Sequence, residues 1–143
     1  MNPYNAYSRA HELVDETDKR KILLRVLRVL PEKIELVKLL IAQKQYEKKY
    51  QELTKITTVI EILDQSLDMS FGEIPRNLSS LYGYLIRRLT EVHATLDIKT
   101  LDECKEIIGR IREGFAEAYV NLTRGQPSHQ PSKEGSASIQ TQI

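Results

Sequence analysis

The chain has 143 residues, with 21 Lys and Arg against 20 Asp and Glu, a formal net charge of +1. That length suits one domain able to bury a core without staples, and the charge balance argues against a protein whose main work is binding polyanions. The single cysteine, Cys104, excludes an internal disulfide framework and fits a reducing compartment. No apolar run at the N-terminus reads as a secretory signal and none elsewhere reaches spanning length, so a cytoplasmic domain is expected.

In chain order, residues 3–13, "PYNAYSRAHEL", place Tyr4, Tyr7 and Ala10 on one side of a short helical segment. One or two turns are marginal alone, so residues 1–16 are expected to be an arm packed across a larger body. A long helix then starts near Thr17 or Asp18, both suitable N-caps, and runs to about Gln43. Its apolar arc is wide: Ile22, Val26, Val29, Leu30, Ile34, Leu36, Val37, Leu40 and Ile41. Pro31 lies inside it and lacks a backbone donor, which predicts a kink or break.

"QKQYEKK" reads as a polar connection before a helix ending near Leu67. There Tyr46, Tyr50, Leu53, Thr57, Ile60, Asp64 and Leu67 keep four-three spacing, the seam of a bundle helix. Ile56, Val59, Ile62 and Leu63 lie outside that seam, so the apolar arc exceeds what one packing face requires. "DMSFGEIPR" is a turn, with Glu73 and Pro75 suited to the first turn of the next helix. That helix continues to about Ala94 and presents Leu78, Leu81, Tyr82, Leu85, Ile86 and Leu89 on one face, with Ser79, Gly83, Arg87 and Thr90 opposite. "TLDIKT" leads to a last helix, where Thr100 and Glu103 have capping-box spacing. Leu101, Cys104, Ile108, Ile111, Phe115, Ala118 and Leu122 form its heptad.

Beyond Thr123 the composition turns to Ser, Gln, Gly and Pro, so residues 124–143 are expected to be a disordered tail. Residues 17–123 predict an all-α fold, an antiparallel up-down four-helix bundle with the N-terminal segment packed across it.

Sites for chemistry are sparse. His11, His93 and His129 fall in three different elements, and no E-x-x-H, C-x-x-C or H-E-x-x-H pattern occurs, so no metal, cofactor or catalytic centre is expected. Cys104 sits on the heptad of the last helix and reads as an inert core thiol. Asp64, on the seam of the helix ending near Leu67, reads as an acid bonded to a neighbouring helix through Arg87 or Arg88, with an anchor for a partner's polar group as the alternative. The remaining feature is surplus apolar surface on the two helices that span residues 17–67. Such surface suits docking of a partner's amphipathic helix. Physics alone therefore reaches a helical binding module. A small helical enzyme holding an anionic metabolite with Arg87, Arg88 and Tyr82 or Tyr84 is the alternative from another class; it would need those groups to converge on a pocket.

The stretch "LDMSFGEIPRNLSSLYGYLIRRL", Leu67 to Leu89, resembles the signature of the FliS family, flagellin-specific export chaperones of bacterial flagellar secretion. The likeness lies in Leu67 and Asp68, Gly72, Glu73 and Ile74, Asn77 and Leu78, Leu81, Tyr82 and Tyr84, then Arg87, Arg88 and Leu89. "NAY", Asn5 to Tyr7, and "LDECKEIIGRIREGF", Leu101 to Phe115, are similar to the family's N-terminal tyrosine motif and last helix. The first long helix departs from the pattern, with Pro31 where the family has none, and Phe115 stands near its usual tryptophan.

The resemblance implies a cytoplasmic chaperone, not an enzyme, that binds the C-terminal region of flagellin, prevents premature polymerisation and keeps subunits fit for secretion. An export-gate component is an implied further partner; nucleic acid, membrane insertion and small molecules are not. With the spare apolar surface, it marks Tyr4, Tyr7, Tyr50, Ile56, Val59, Ile60, Leu63, Leu67, Asn77, Leu81, Tyr82 and Tyr84 as expected partner-binding residues. A chaperone-like adaptor for another secretion substrate is the nearest alternative.

Overall fold

The computed structural model describes residues 16–123, with side chains described for 19–118. It contains four long helices: α1 (Glu16–Ala42), α2 (Tyr46–Gln65), α3 (Glu73–Thr95) and α4 (Ile98–Thr123). One 3-10 turn, Met69–Phe71, lies between α2 and α3. Each helix packs on two neighbours: α1 on α2 and α4, and α3 on α2 and α4. Cross-helix bonds give the direction. Glu35 meets Lys105 while Lys38 meets Asp102, and Tyr84 meets Glu103 while Arg88 reaches Thr100. Rising numbers on one helix pair with falling numbers on the other, so these neighbours are antiparallel. The result is the expected up-down bundle, closed as a ring. The expected arm, residues 1–16 with Tyr4 and Tyr7, falls almost wholly outside the described residues, and the expected tail, 124–143, wholly outside.

The core takes one seam from each helix. From α1 come Leu27, Leu30, Ile34 and Val37; from α2, Leu53, Ile56 and Ile60. Tyr82, Leu85, Leu89 and Val92 come from α3, and Leu101, Cys104, Ile108 and Ile111 from α4. Burying one such Leu or Ile stabilises by about 1.5–3 kcal/mol, so these layers outweigh the surface ion pairs, each contributing about 0–1 kcal/mol. The heptad of α4 is the one read from sequence. Cys104 is buried in it and burial pushes its thiol up to about 12, which keeps it unreactive near neutral pH.

The seam of α2 differs from expectation. The positions turned inward are Lys49, Leu53, Ile56 and Ile60, with Leu63 and Leu67 partly buried behind them. This is the same four-three spacing moved round the helix. Ile56 and Leu63 replace Thr57 and Asp64, because aliphatic side chains gain more from leaving water. Asp64 accordingly forms no ion pair among the described residues; Arg88 goes to Glu91 and Glu103 instead.

Several termini also correct the sequence reading. Helix α1 is continuous through Pro31, so no break occurs; Leu27, Leu30 and Ile34 are buried on either side of it and hold both halves on one core. The first connection is only Gln43–Gln45, and "YEKK" already belongs to α2. There Lys44 takes φ 58°, while Lys44 N donates to Ile41 O and Gln45 N to Leu40 O. This is a Schellman ending, with lysine where glycine is usual. Gly72, with φ 96° and ψ −138°, takes a backbone shape open to glycine as it enters α3. At α4 the cap is Asp97 rather than Thr100: Asp97 Oδ1 accepts from Lys99 N at 3.0 Å and Oδ2 from the Thr100 hydroxyl at 3.0 Å. An aspartate one residue before the helix captures an early amide and complements the positive dipole end. Glu103, free of the expected box, bonds across to α3.

Lys49 is a cation at a core position. Its stem is buried and its Nζ reaches the His93 carbonyl oxygen at 3.4 Å, near the C-terminal end of α3 where the dipole is negative. The His93 ring lies 4.8 Å from that of Tyr50. Burial, then the Lys49 charge, holds its imidazole below the usual histidine range.

Two outcomes follow from these placements. Replacing Pro31 with alanine restores an amide donor inside α1 and should raise stability by about 1–3 kcal/mol, seen as a higher urea midpoint at unchanged slope. A lower midpoint would show that packing is built around a bend at Pro31. For His93, the unfolded chain takes up its proton near pH 6.5 and the folded chain only at lower pH. Its contribution is therefore complete above about pH 6.5 and lost as pH falls through the folded value. Urea midpoints at about pH 7.5 and 5.5 should differ less in His93→Gln than in the parent. Equal differences would remove His93 from that dependence.

Candidate partner-docking surface

The off-seam residues of α1 and α2 meet in a groove. Val26, Val29 and Leu30 line one wall, and Ile56 and Val59 the other, around a volume of about 360 Å³. Because Leu27, Leu30, Ile34 and Val37 fill the α1 seam, Val26 and Val29 stand to one side of it. Val59 has the same relation to Ile56 and Ile60 on α2. Two helices that each carry an apolar flank beside the seam leave a valley between them that their own core does not fill. Arg25, Lys33, Glu52 and Lys55 complete the lining. Lys33 Nζ is 3.9 Å from Glu52 Oε1 and Lys55 Nζ is 3.4 Å from Glu52 Oε2.

Exposed apolar side chains extend the surface along the bundle. Ile22 on α1 and Ile62 on α2 lie in water. Both sit at helical spacing from the groove walls, Ile22 four residues before Val26 and Ile62 three after Val59. The turn after α2 adds Met69 and Phe71, and the start of α3 adds Ile74, with Phe71 77% exposed. Asp68 fixes that turn by accepting from Ser70 N at 3.0 Å and from its hydroxyl at 2.6 Å. These bonds hold the Asp68 carboxyl below its ordinary range.

The expected partner-binding residues fall into four groups. Ile60, Tyr82 and Ile56 are 0%, 2% and 2% exposed. Ile60 and Tyr82 lie in the core of the bundle, and Ile56 forms the floor of the groove. In Tyr82 burial, with Asp64 nearby, pushes the phenol up to about 12. Val59, Leu63, Leu67, Asn77 and Leu81 are half-buried and Tyr50 is exposed; of these, Val59 lines the groove. Tyr84 belongs to a polar lock between α3 and α4. Its hydroxyl donates to Glu103 Oε2 at 2.6 Å, and Arg88 reaches Glu103, Glu91 and Thr100. The hydrogen bond from Tyr84, helped by Arg88, holds the Glu103 carboxyl below its usual range against the cost of burial. Tyr4 and Tyr7 lie outside the described residues.

The groups of the alternative enzyme reading do not converge. Arg87 is exposed and lies over the Tyr84 ring, 5.8 Å from its centroid. Arg88 is committed to its carboxylates, and Tyr82 is inside the core. Among the described residues no group of three or more His, Cys, Asp or Glu could hold a metal ion, and no helix is long and apolar enough to cross a membrane.

Sequence reading missed Val26 and Val29 as groove walls, although both stand one place off the buried seam of α1. It also missed Asp97 as a cap and Lys49 in the core. For Lys49 no signal in the chain marks a lysine that ends on a distant helix carbonyl.

Comparison with known proteins gives the lineage. The family model described as flagellar protein FliS matches residues 1–122. The flagellar secretion chaperone FliS of Salmonella typhimurium (strain LT2) is 32% identical over 65 residues, covering 42% of this chain and 48% of that protein. The match thus spans about half the length of that relative. With the family pattern running through all four helices, the chain belongs to the FliS family.

Proposed function

We propose that this chain is a flagellar secretion chaperone whose client is the C-terminal region of flagellin, held in the cytoplasm in an unpolymerised, exportable form. The observation that carries the reading is the apolar groove of Val26, Val29, Leu30, Ile56 and Val59 between α1 and α2, in a chain of the FliS family. The similar Salmonella protein is named a secretion chaperone, which supports the class of activity.

The mechanism is coupled folding and binding. A client segment without stable structure lays the apolar face of a helix into the groove, so the side chains it would use to polymerise are covered while bound. Ordering such a segment typically accompanies burial of about 1,000–3,000 Å², part of whose gain is lost to conformational entropy. The groove is preformed by two helices anchored in the core, so the chaperone itself gives up little freedom on binding. An export-gate component is the second partner in this scheme.

Calorimetric titration with a flagellin C-terminal fragment tests the reading. Val59→Asp places a charge in the groove wall, at a half-buried position on the edge of the core, and should weaken binding at least about tenfold while the helical circular dichroism signal is kept. Arg87→Ala should change it less than about twofold. Ile60→Asp puts an unpaired carboxylate into the core and should lose the helical circular dichroism signal altogether. Equal effects of Val59→Asp and Arg87→Ala would overturn the groove mechanism. A parent protein that ignores flagellin but captures another secreted subunit would make it an adaptor for that substrate.

A further inference from the structure

The charged side chains of the groove specify its occupant more narrowly than the apolar walls do. On α1, Arg25, Val29 and Lys33 follow one another at four-residue spacing, and on α2 Lys55 precedes Val59 by four; all five line the groove. A four-residue step keeps to one ridge of a helix, so the α1 wall is bounded by Arg25 and Lys33, and Lys55 stands on the ridge of Val59 on α2. The Lys33 and Lys55 side chains are 49% and 71% exposed, whereas the one acid, Glu52, is 20% exposed between them. Glu52 Oε1 is shielded from water and accepts no hydrogen bond, although Lys33 Nζ stands 3.9 Å away. Three cations and one recessed anion line this groove, while the whole chain carries only +1. The excess is local.

We infer that the groove between α1 and α2 selects an amphipathic helix whose apolar stripe is bordered by carboxylates. This deepens the docking role proposed above and rests on it. The apolar stripe of the occupant meets Val26, Val29, Ile56 and Val59, and its flanking Asp or Glu side chains lie within reach of Arg25, Lys33 and Lys55. From Arg25 to Lys33 the wall is about 12 Å long, so roughly two to three turns of partner helix are read. A helix with the same stripe but lysine borders brings like charges together at the edge of an apolar contact, where water screens them less than in bulk. Discrimination therefore arises from repulsion as much as attraction.

The test uses the full chain and two designed fluorescent peptides of about 14 residues. They share one leucine stripe and differ only in having Glu or Lys at the bordering positions. Anisotropy titration should show the Glu-bordered peptide binding about tenfold or more tightly, with the gap shrinking at high salt. The variant R25E/K33E/K55E should reverse the preference. R25Q/K33Q/K55Q, which avoids crowding acids around Glu52, should abolish it while circular dichroism stays unchanged. Charge reversal at the exposed Lys48 and Lys99, which do not line the groove, should leave it intact. Equal binding of the two peptides, failure of both, or an equal response to Lys48 and Lys99 reversal overturns the inference. The flagellin fragment is titrated in parallel: if it binds while the peptides are not distinguished, only the charge rule falls. If it does not bind while the Glu-bordered peptide is still preferred, the client assignment falls and the charge rule stands.

Discussion

A helix in a ring of four touches two neighbours and turns the rest of its circumference to water, so it can bury one seam and two narrow flanks. Here α3 and α4 respect that limit closely. Tyr82, Leu85, Leu89 and Val92 share one core with Leu101, Cys104, Ile108 and Ile111, and α3 and α4 are joined outside it by Tyr84, Arg88 and Glu103. Helices α1 and α2 exceed it. Once Leu27, Leu30, Ile34, Leu53, Ile56 and Ile60 are inside, Val26, Val29 and Val59 still face a common valley. Filling the core with aliphatic seams thus fixes the bundle and also fixes which apolar side chains are left over. The groove is a consequence of the packing, held open by the same contacts that give the fold its stability.

This division explains why one half of the family signature has a structural duty. Tyr82 completes the core, and Tyr84 and Arg88 lock α3 to α4 through Glu103. Arg87 remains outside, over the ring of Tyr84. None of these is directed at the α1–α2 groove. The Tyr82, Tyr84 and Arg88 part of the signature therefore builds the bundle, and the α1–α2 groove is lined by less distinctive aliphatic residues upstream.

The fold was legible in the sequence because helical spacing and the short polar or glycine-bearing connections agreed in every long segment. The heptad of α4 and the Glu73–Pro75 start of α3 were readable from residue types alone. Finer points were not. The seam of α2 is displaced from the tyrosine-led pattern because Ile56 and Leu63 compete for the interior with Thr57 and Asp64, and two four-three patterns one step apart look equally regular in one dimension. Pro31 suggested a break, but its cost is local, whereas the apolar contacts on both sides of it are many. The capping box at Thr100 and Glu103 lost to Asp97, which sits at the helix start and leaves Glu103 free to bond across. As for the docking surface, the surplus on α1 and α2 was visible as an over-wide arc. Which members of that arc stay outside depends on which neighbour each helix has, and that is tertiary information.

The most direct test of the central claim is methyl-resolved NMR of the labelled chain titrated with the flagellin C-terminal fragment. The account predicts that the methyl signals of Val26, Val29 and Val59 shift strongly, while those of Leu89 and Val92, deep between α3 and α4, hold their positions. Shifts centred on α3 and α4, or a titration that leaves all three groove valines unmoved, would contradict it.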